Sequence, residues 1–239
     1  MKGASQNILR VENLSVSLDG FSILEYVSFN VPKGTITAII GPNGAGKTTL
    51  FRALLGLIPY RGELRWQKGI RIGYVPQKFT IDRDMPLTVN DFFELKTRNI
   101  DKVFEALRLV GISQDEHHVR HHILERRIGV LSGGEFQKVS IAWALIDDPD
   151  VLLFDEPTAG IDAGSEETIY TLIRRIRDEK GLTVLFISHE LSITYQYADQ
   201  VVCLNKKMIC QGHPKQVLDN KVLQELYGAH AGVYQHKEG

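Results

Sequence analysis

The strongest chemical signal in the sequence is a glycine-rich loop that lies between an apolar, β-branched run and a helical pattern. The loop matches the pattern G-x-x-x-x-G-K-[ST] at every fixed position, with the residues Gly41, Pro42, Asn43, Gly44, Ala45, Gly46, Lys47, Thr48 and Thr49. Glycines let the backbone approach a phosphate without a Cβ in the way, and the N–H groups at a helix N-terminus favour a bound anion. We expect Lys47 to neutralise the β- and γ-phosphates of a nucleoside triphosphate and the Thr48 hydroxyl to ligate Mg²⁺.

A second group of chemically competent residues follows the apolar run Val151–Phe154, which is typical of a buried strand. That run ends in Asp155 and Glu156, and a buried carboxylate needs a partner because an unpaired charge is costly to bury. Beside a phosphate-binding loop, Asp155 is predicted to hold Mg²⁺, directly or through water. Glu156 is predicted to act on the attacking water as a general base or to position it.

A third motif, Leu131–Gln137, reads Leu-Ser-Gly-Gly-Glu-Phe-Gln and lies just before a predicted helix. Ser132, Gly133 and Gly134 at a helix start form a second anion-binding site by the same physics as the first. A plain serine N-cap followed by a glycine turn is the structural alternative. Two phosphate-binding segments far apart in one sequence favour the anion site.

With these three motifs in this order, the chain resembles the ATPases of ABC transporters, whose signature usually reads LSGGQ; here Glu135 replaces the glutamine. The resemblance covers nearly the whole chain and implies ATP and Mg²⁺ as cofactors. It also assigns further roles by position. Gln77 matches the Q-loop residue that contacts Mg²⁺ and water. Asp162 matches the D-loop residue that communicates across a dimer, and His189 matches the switch histidine that contacts the γ-phosphate.

The resemblance also implies a homodimer. Such ATPases complete each site across the dimer, with Ser132-Gly133-Gly134 of one chain capping ATP held by Lys47 of the other.

The adenine-stacking aromatic residue of this family is not obvious. The position that aligns with it carries Leu18, and Phe21 three residues later is the substitute that we predict. A P-loop kinase or GTPase would share the glycine-rich loop but would not need Leu131–Gln137, and no Asn-Lys-x-Asp motif for reading guanine is present. A DNA-repair or translation ATPase of the ABC type would need a long coiled-coil insertion or a second cassette, and neither is expected to fit in these 239 residues.

The expected fold is α/β: an ABC-type P-loop nucleotide-binding domain with a parallel core sheet, an N-terminal antiparallel β-subdomain and an inserted helical subdomain. Strand patterns at 8–14, 23–31, 35–40 and 71–75 come first, with a turn at Asp19-Gly20 between the first two, and strands alternate with helices after about residue 146. The alternation includes a segment at 191–198, and a C-terminal helix is predicted at about 214–227. Between them the charge rises and helical periodicity takes over. We therefore assign 1–77 and 146–239 to the core and 78–145 to the helical subdomain of one ABC ATPase domain.

Composition narrows the classes of partner. The 239 residues are 43% hydrophobic and 24% charged, with a formal net charge of -1 that gives no support to nucleic-acid binding. Cys203 and Cys210 do not suggest a disulfide framework, which favours a reducing compartment. No run of 18 or more apolar residues occurs, so integral-membrane permease subunits are expected to supply any transport pore.

Several stretches look like the ATPase subunit of bacterial zinc importers, namely 70–78, 85–90, 202–205 and 232–234. That resemblance implies zinc import, a location on the inner face of the cell membrane, and an indirect partner in a periplasmic or surface metal-binding protein. Manganese and iron importer ATPases are the near alternatives, and an exporter subunit or a non-transport ABC ATPase shares the same motifs.

A histidine cluster stands apart from these motifs. In the polar segment 114–127, His117 and His121 form one i,i+4 pair and His118 and His122 form another. This spacing places both members of a pair on one helix face, where they could chelate zinc. A solvated helix face explains the same pattern, and the sequence leaves both interpretations open.

Overall fold

The computed structural model describes residues 6–77, 85–157 and 163–228. The chain forms two compact units. One consists of the chain up to Lys68 together with the chain from Leu185 onward, and the other is Gly69–Val184. Both combine strands and helices, which confirms the predicted α/β class.

An antiparallel sheet opens the first unit. Strands β1 (Asn7–Leu18) and β2 (Phe21–Pro32) form a hairpin, and β4 (Arg61–Trp66) pairs with the other side of β1. The turn is the predicted Asp19-Gly20 pair, with φ values of 50° and 81° that suit a tight hairpin turn of the primed kind. The N-terminal antiparallel sheet is thereby confirmed. Its strands run longer than the apolar clusters indicated, and β4 has no apolar pattern that would have revealed it.

The first unit also holds the strands around the glycine-rich loop. All five residues of β3 (Ile36–Ile40) are buried, and helix α1 (Lys47–Leu54) follows the loop. Strand β8 (Gln200–Asn205) runs parallel to β3, whereas β9 (Lys207–Gly212) runs antiparallel to β8. The pairing of β3 with β8 agrees with the predicted parallel core sheet, and the short β8–β9 hairpin adds one antiparallel strand beside it.

The two cysteines lie opposite each other in this hairpin. Cys203 and Cys210 pair in the β8–β9 register and are joined by a disulfide across a Cα–Cα distance of 4.9 Å. Their pairing was not predicted, because strand β9 was not predicted. A single bond that closes a short hairpin is not the multiple-disulfide framework that stabilises small secreted domains.

Helices complete the first unit. Helix α7 (Leu191–Tyr197) agrees with its predicted position, whereas the predicted C-terminal helix is broken into α8 (Pro214–Val217) and α9 (Asn220–Tyr227). The break has a local cause. The side chain of Asp219 accepts a hydrogen bond from the Val222 backbone N–H at 2.8 Å, which starts α9 as an N-cap.

In the second unit, β5 (Ile72–Val75) pairs in parallel with β6 (Val151–Asp155). Glycine is required on β5, because a Cβ on Gly73 would lie 2.8 Å from the Ala144 carbonyl oxygen and 2.7 Å from the Leu152 side chain. Helix α6 (Ala163–Lys180) follows β6, and β7 (Thr183–Ser188) begins in this unit. The order of β5, β6 and α6 agrees with the predicted alternation.

Most of the second unit between β5 and β6 is helical. It contains α2 (Val89–Glu94), α3 (Ile100–Leu109), the short α4 (Glu116–His118), a π-helical turn (Val119–Leu124), a 3₁₀ turn (Ile128–Val130) and α5 (Gly133–Leu145). Phe92 of α2 stacks on Trp143 of α5 with ring centroids 5.4 Å apart. The helical character agrees with the prediction, and the boundaries at 78 and 145 stay a prediction. Within the described part of the chain, no helix combines the length and apolarity needed to cross a bilayer.

Candidate nucleotide-binding site and signature segment

The glycine-rich loop joins β3 to α1 in a conformation that only glycine adopts readily. Gly44 and Gly46 have φ values of 78° and 93°, and Gly46 is the N-cap of α1. The first turn of α1 contains no acidic residue, and Gly46 has no side chain with which to cap it. The start of this helix is therefore suited to an anion, since its backbone N–H groups carry the positive end of the helix dipole.

Lys47 is held across the loop that it serves. Its side chain is buried, with only 6% of the residue exposed. The ammonium group donates hydrogen bonds to the carbonyl oxygens of Gly41 at 2.8 Å and Pro42 at 3.0 Å. The Pro42 carbonyl also accepts from the Ala45 N–H at 3.1 Å. The loop carbonyls thus hold the ammonium group at the loop, and its role in neutralising phosphate charge stays a prediction.

Strands β2 and β8 pack against the glycine-rich loop, a contact that the sequence did not predict. A Cβ on Gly41 would lie 1.9 Å from the Leu204 carbonyl oxygen, and one on Gly46 would lie 2.6 Å from the Leu24 side chain. The Lys206 N–H donates to the Ala45 carbonyl at 3.1 Å. These close approaches explain why both outer positions of the loop are glycine, independently of the phosphate.

Helix α9 reaches the same loop. Burial raises the pKa of Tyr227 to about 12, while the backbone of Gly41 beside its hydroxyl acts in the opposite direction. No motif marks Tyr227 in the sequence, and the break between α8 and α9 that positions it was not predicted.

Phe21, the predicted adenine-stacking residue, begins β2 and is 73% exposed. It pairs across the hairpin turn with Leu18, the residue at the family's aromatic position. Three residues further along the strand, Leu24 contacts the position of Gly46. An exposed aromatic ring therefore lies on the strand that supports the phosphate-binding loop. Tyr26 is similarly exposed on this strand, at 75%.

The carboxylates that follow β6 differ in environment. Asp155 is the last residue of the strand and is 2% exposed, and the Tyr74 hydroxyl lies 3.4 Å from its Oδ2. Glu156 has a φ of 52°, an uncommon backbone state for a residue with a side chain. Its Oε2 accepts a hydrogen bond of 2.5 Å from Nε2 of Gln77. Within this unit, the structure thus brings together the predicted catalytic glutamate and the predicted Q-loop residue.

The signature segment forms a capped helix start. Ser132 is the N-cap of α5, and its hydroxyl accepts from the Glu135 N–H at 3.3 Å. The Glu135 carboxylate accepts in return from the Ser132 N–H and hydroxyl, both at 2.9 Å, and pairs with Arg126 at 2.7 Å. Glycines 133 and 134 form the first turn. The Arg126 guanidinium, and after it the Ser132 backbone N–H, lowers the pKa of Glu135 to about 2.

The remaining predicted residues lie as follows. Thr48 and Thr49 are in the first turn of α1, and His189 is exposed directly after β7. Asp162 lies outside the described residues. The sequence did not identify Arg126 as part of the signature segment, although its charge is the partner that an acidic residue at position 135 requires.

A glycine loop ending in Lys-Thr at a helix start, together with a buried strand that ends in Asp-Glu, defines a P-loop nucleoside triphosphatase. The ABC transporter family model matches residues 24–159. The chain belongs to the ABC transporter family. It is 41% identical to the zinc import ATP-binding protein ZnuC of Pseudomonas entomophila, over 97% of this chain and 89% of that protein.

Solved structures agree with this assignment. The structure of cbiO1 from Clostridium perfringens, part of the ABC transporter complex cbiONQ, matches with a TM-score of 0.75 and 30% identity, covering 92% of this chain and 93% of that chain. An inward-facing conformation of a putative metal-chelate type ABC transporter matches with a TM-score of 0.80 and 27% identity, covering 92% and 88%.

The Arg126–Glu135 pair gives a pH-dependent prediction. Its lowered pKa means that Glu135 stabilises the fold above the ordinary value of 4.5, and that this contribution is lost as the pH falls toward about 2. The side chains are 35% and 42% exposed, so solvent screens the pair. We therefore expect Glu135→Gln to lower the free energy of unfolding by about 0.2–1 kcal/mol at pH 7. The difference from wild type should shrink between pH 4.5 and pH 3 in urea unfolding curves.

Glu63→Gln is the matched control, because it removes the same charge from the exposed Arg65–Glu63 pair, which caps no helix. The same destabilisation by Glu135→Gln at both ends of the pH range, or an equal effect of Glu63→Gln, would contradict the role assigned to the capped pair.

Proposed function

We propose that this chain is the ATP-hydrolysing subunit of a zinc importer and that it powers transport through a partner membrane permease. The observation that carries the proposal is the glycine loop before α1, where the helix start has neither an acidic residue nor a side-chain cap and Lys47 is held at the loop. The signature segment at the start of α5, where Arg126 balances the charge of Glu135, is the second element that the proposal uses. The zinc assignment is supported by 41% identity over 97% of the chain to a protein named for zinc import.

On the phosphate side, the chain's residues have separate tasks. Lys47 and the N–H groups at the start of α1 bind and orient the phosphates of ATP. The Thr48 hydroxyl and the buried Asp155 carboxylate are the oxygen ligands that suit Mg²⁺, which neutralises charge on the phosphates when it is bound. A carboxylate at the end of a buried strand, 2% exposed, is the kind of hard oxygen ligand that suits this cation.

On the hydrolytic side, Glu156 acts as general base on the attacking water or positions it, and Gln77 orients Glu156 through their hydrogen bond. His189 contacts the γ-phosphate from the end of β7. Hydrolysis is then a matter of positioning and charge stabilisation by groups that the fold holds in advance.

We further propose that two copies of the chain form a homodimer. Each copy supplies one phosphate loop and one signature segment, so a two-fold arrangement gives two equivalent sites. In each site, Ser132, Gly133 and Gly134 of one copy cap ATP held by Lys47 of the other, and Asp162 communicates between the copies. In this proposal the dimer lies on the cytoplasmic face of the cell membrane, against the permease, and a periplasmic or surface metal-binding protein is an indirect partner.

Phe21 is proposed to stack on adenine. Loss of a base–aromatic stack costs roughly 1–3 kcal/mol, so Phe21→Ala should weaken ATP binding by at least several-fold. Fluorescence titration with a labelled ATP analogue measures this affinity. Tyr26→Ala is the matched control, since Tyr26 is equally exposed on the same strand. Unchanged affinity in Phe21→Ala would exclude the stack.

The dimer is tested with a variant that binds ATP but turns it over slowly. Glu156→Gln should lower the ATPase rate by about 10²-fold or more, because the water loses its base. The variant is expected to dimerise with saturating Mg-ATP in multi-angle light scattering. Adding Lys47→Ala to it should restore the monomer. A Glu156→Gln chain that stays monomeric with ATP would contradict the homodimer.

The transported metal is tested by reconstitution. The chain is co-expressed with candidate metal-importer permeases, and the copurifying complex is placed in proteoliposomes. We expect its ATPase activity to rise several-fold with zinc-loaded binding protein and to stay at its basal level with the manganese-loaded or metal-free protein. The Glu156→Gln complex provides the background rate. Stimulation of the ATPase activity by the manganese-loaded protein alone would exclude zinc import. ATPase activity that does not change with any binding protein would contradict import.

A further inference from the structure

The four clustered histidines lie outside the nucleotide machinery and are all exposed. They belong to α4 and the π-helical turn, where their rings lie next to each other in two tilted pairs. The ring centroids of His117 and His121 are 4.5 Å apart, and those of His118 and His122 are 5.0 Å apart. Each pair therefore presents two imidazoles side by side to solvent.

The backbone beneath these rings is well anchored. Asp115 caps α4 by accepting from the His117 N–H at 2.9 Å. Val119 and Leu124, at the two ends of the π-helical turn, are 2% and 3% exposed and bury the opposite side. Because the buried residues fix which way the turn faces, the histidines are held on the solvent side. π-helical turns are rare in proteins, and those that do occur are often found at functional sites.

The ring spacing suits a transition-metal ion. When one nitrogen of each ring binds zinc at about 2.0–2.1 Å with tetrahedral angles, the two ring centroids lie about 5 Å apart. Both pairs are close to that distance without rearrangement. Two histidines at i and i+4 on one helix face are also the zinc-binding arrangement of the H-E-x-x-H motif.

The residue one turn further along distinguishes the pairs. His117 and His121 continue to Glu125, whose Oε1 lies 3.4 Å from Nδ1 of His121. His118 and His122 continue to Arg126, a cation that is engaged by Glu135. A carboxylate beside a ligating histidine orients the ring. The residue in the corresponding position of the second pair is an arginine that is already paired with Glu135 and cannot do this.

We propose that His117 and His121 form an open surface site for a divalent transition-metal ion of the zinc class. Glu125 orients His121, and water fills the remaining positions. The described residues contain no group of three or more histidine, cysteine or carboxylate side chains placed to hold a metal. The site is accordingly a two-histidine chelate, which releases its ion more readily than a closed structural site with four protein ligands.

The test is a titration of the full-length, nucleotide-free chain with ZnCl₂ by isothermal calorimetry, with the histidine ring signals followed by NMR. We expect saturable binding in wild type and in His118→Ala/His122→Ala. His117→Ala/His121→Ala should weaken binding at least tenfold, and Glu125→Gln about tenfold, the usual effect of losing such a carboxylate. MgCl₂ should give no binding at the same site, since imidazole does not suit that ion.

Wild-type affinity in His117→Ala/His121→Ala would overturn the proposal. An equal loss in the two double variants would overturn the assignment to the first pair. Thermal melts establish that each variant is folded. If a double variant does not fold, the wild-type NMR spectrum decides instead: zinc must shift the ring signals of His117 and His121 before those of the other pair. Because the titration measures metal binding and not transport, a negative result would contradict the metal site and leave the proposed function unaffected.

Discussion

The phosphate-binding loop depends on how closely the backbone of one strand can approach another. At Gly41 there is no room for a Cβ, because the Leu204 carbonyl occupies that space. The approach lets β8 and the β8–β9 turn support the loop, through the bond from Lys206 N–H to the Ala45 carbonyl. Lys47 in turn donates to carbonyls of the supported loop. A side chain at position 41 would push the loop off β8 and misplace the ammonium group, even though residue 41 itself carries no charge.

The signature segment meets a different constraint, which is charge. An acidic residue one position after the glycines would repel a bound phosphate if its charge were unbalanced. Arg126 neutralises Glu135, and Glu135 uses its remaining capacity to accept from Ser132. The substitution of glutamate for the usual glutamine is therefore accompanied by a specific cation. It also makes the helix start a reciprocal capping box, which stabilises the first turn of α5.

Sequence reasoning recovered the parts of the fold with strong periodicity or a fixed motif. Buried β3 and β6, the loop at 41–48 and the start of α5 at Gly133 are as predicted, because each combines an apolar run with a glycine or capping signal. Strand β4 was missed because its pattern is mostly exposed, and β9 because its side chains are only partly buried. Such strands form through pairing with a neighbour, which a local pattern does not show. For the same reason the sequence pattern did not predict that Cys203 pairs with Cys210.

In the candidate site, the sequence predicted which residues are functional but did not predict their backbone conformation. Motifs identified Gln77, Glu156, Lys47 and Ser132, but they did not predict that Glu156 would have a φ of 52°. A non-glycine residue in this conformation persists only where its surroundings hold it. The hydrogen bond from Gln77 is one such restraint, and the buried strand that ends at Asp155 is another. Gln77 follows β5, the strand paired with β6, so the same pairing that builds the sheet brings the Q-loop residue to the glutamate. Their association follows from strand register, and a change in that register would separate them without altering either motif.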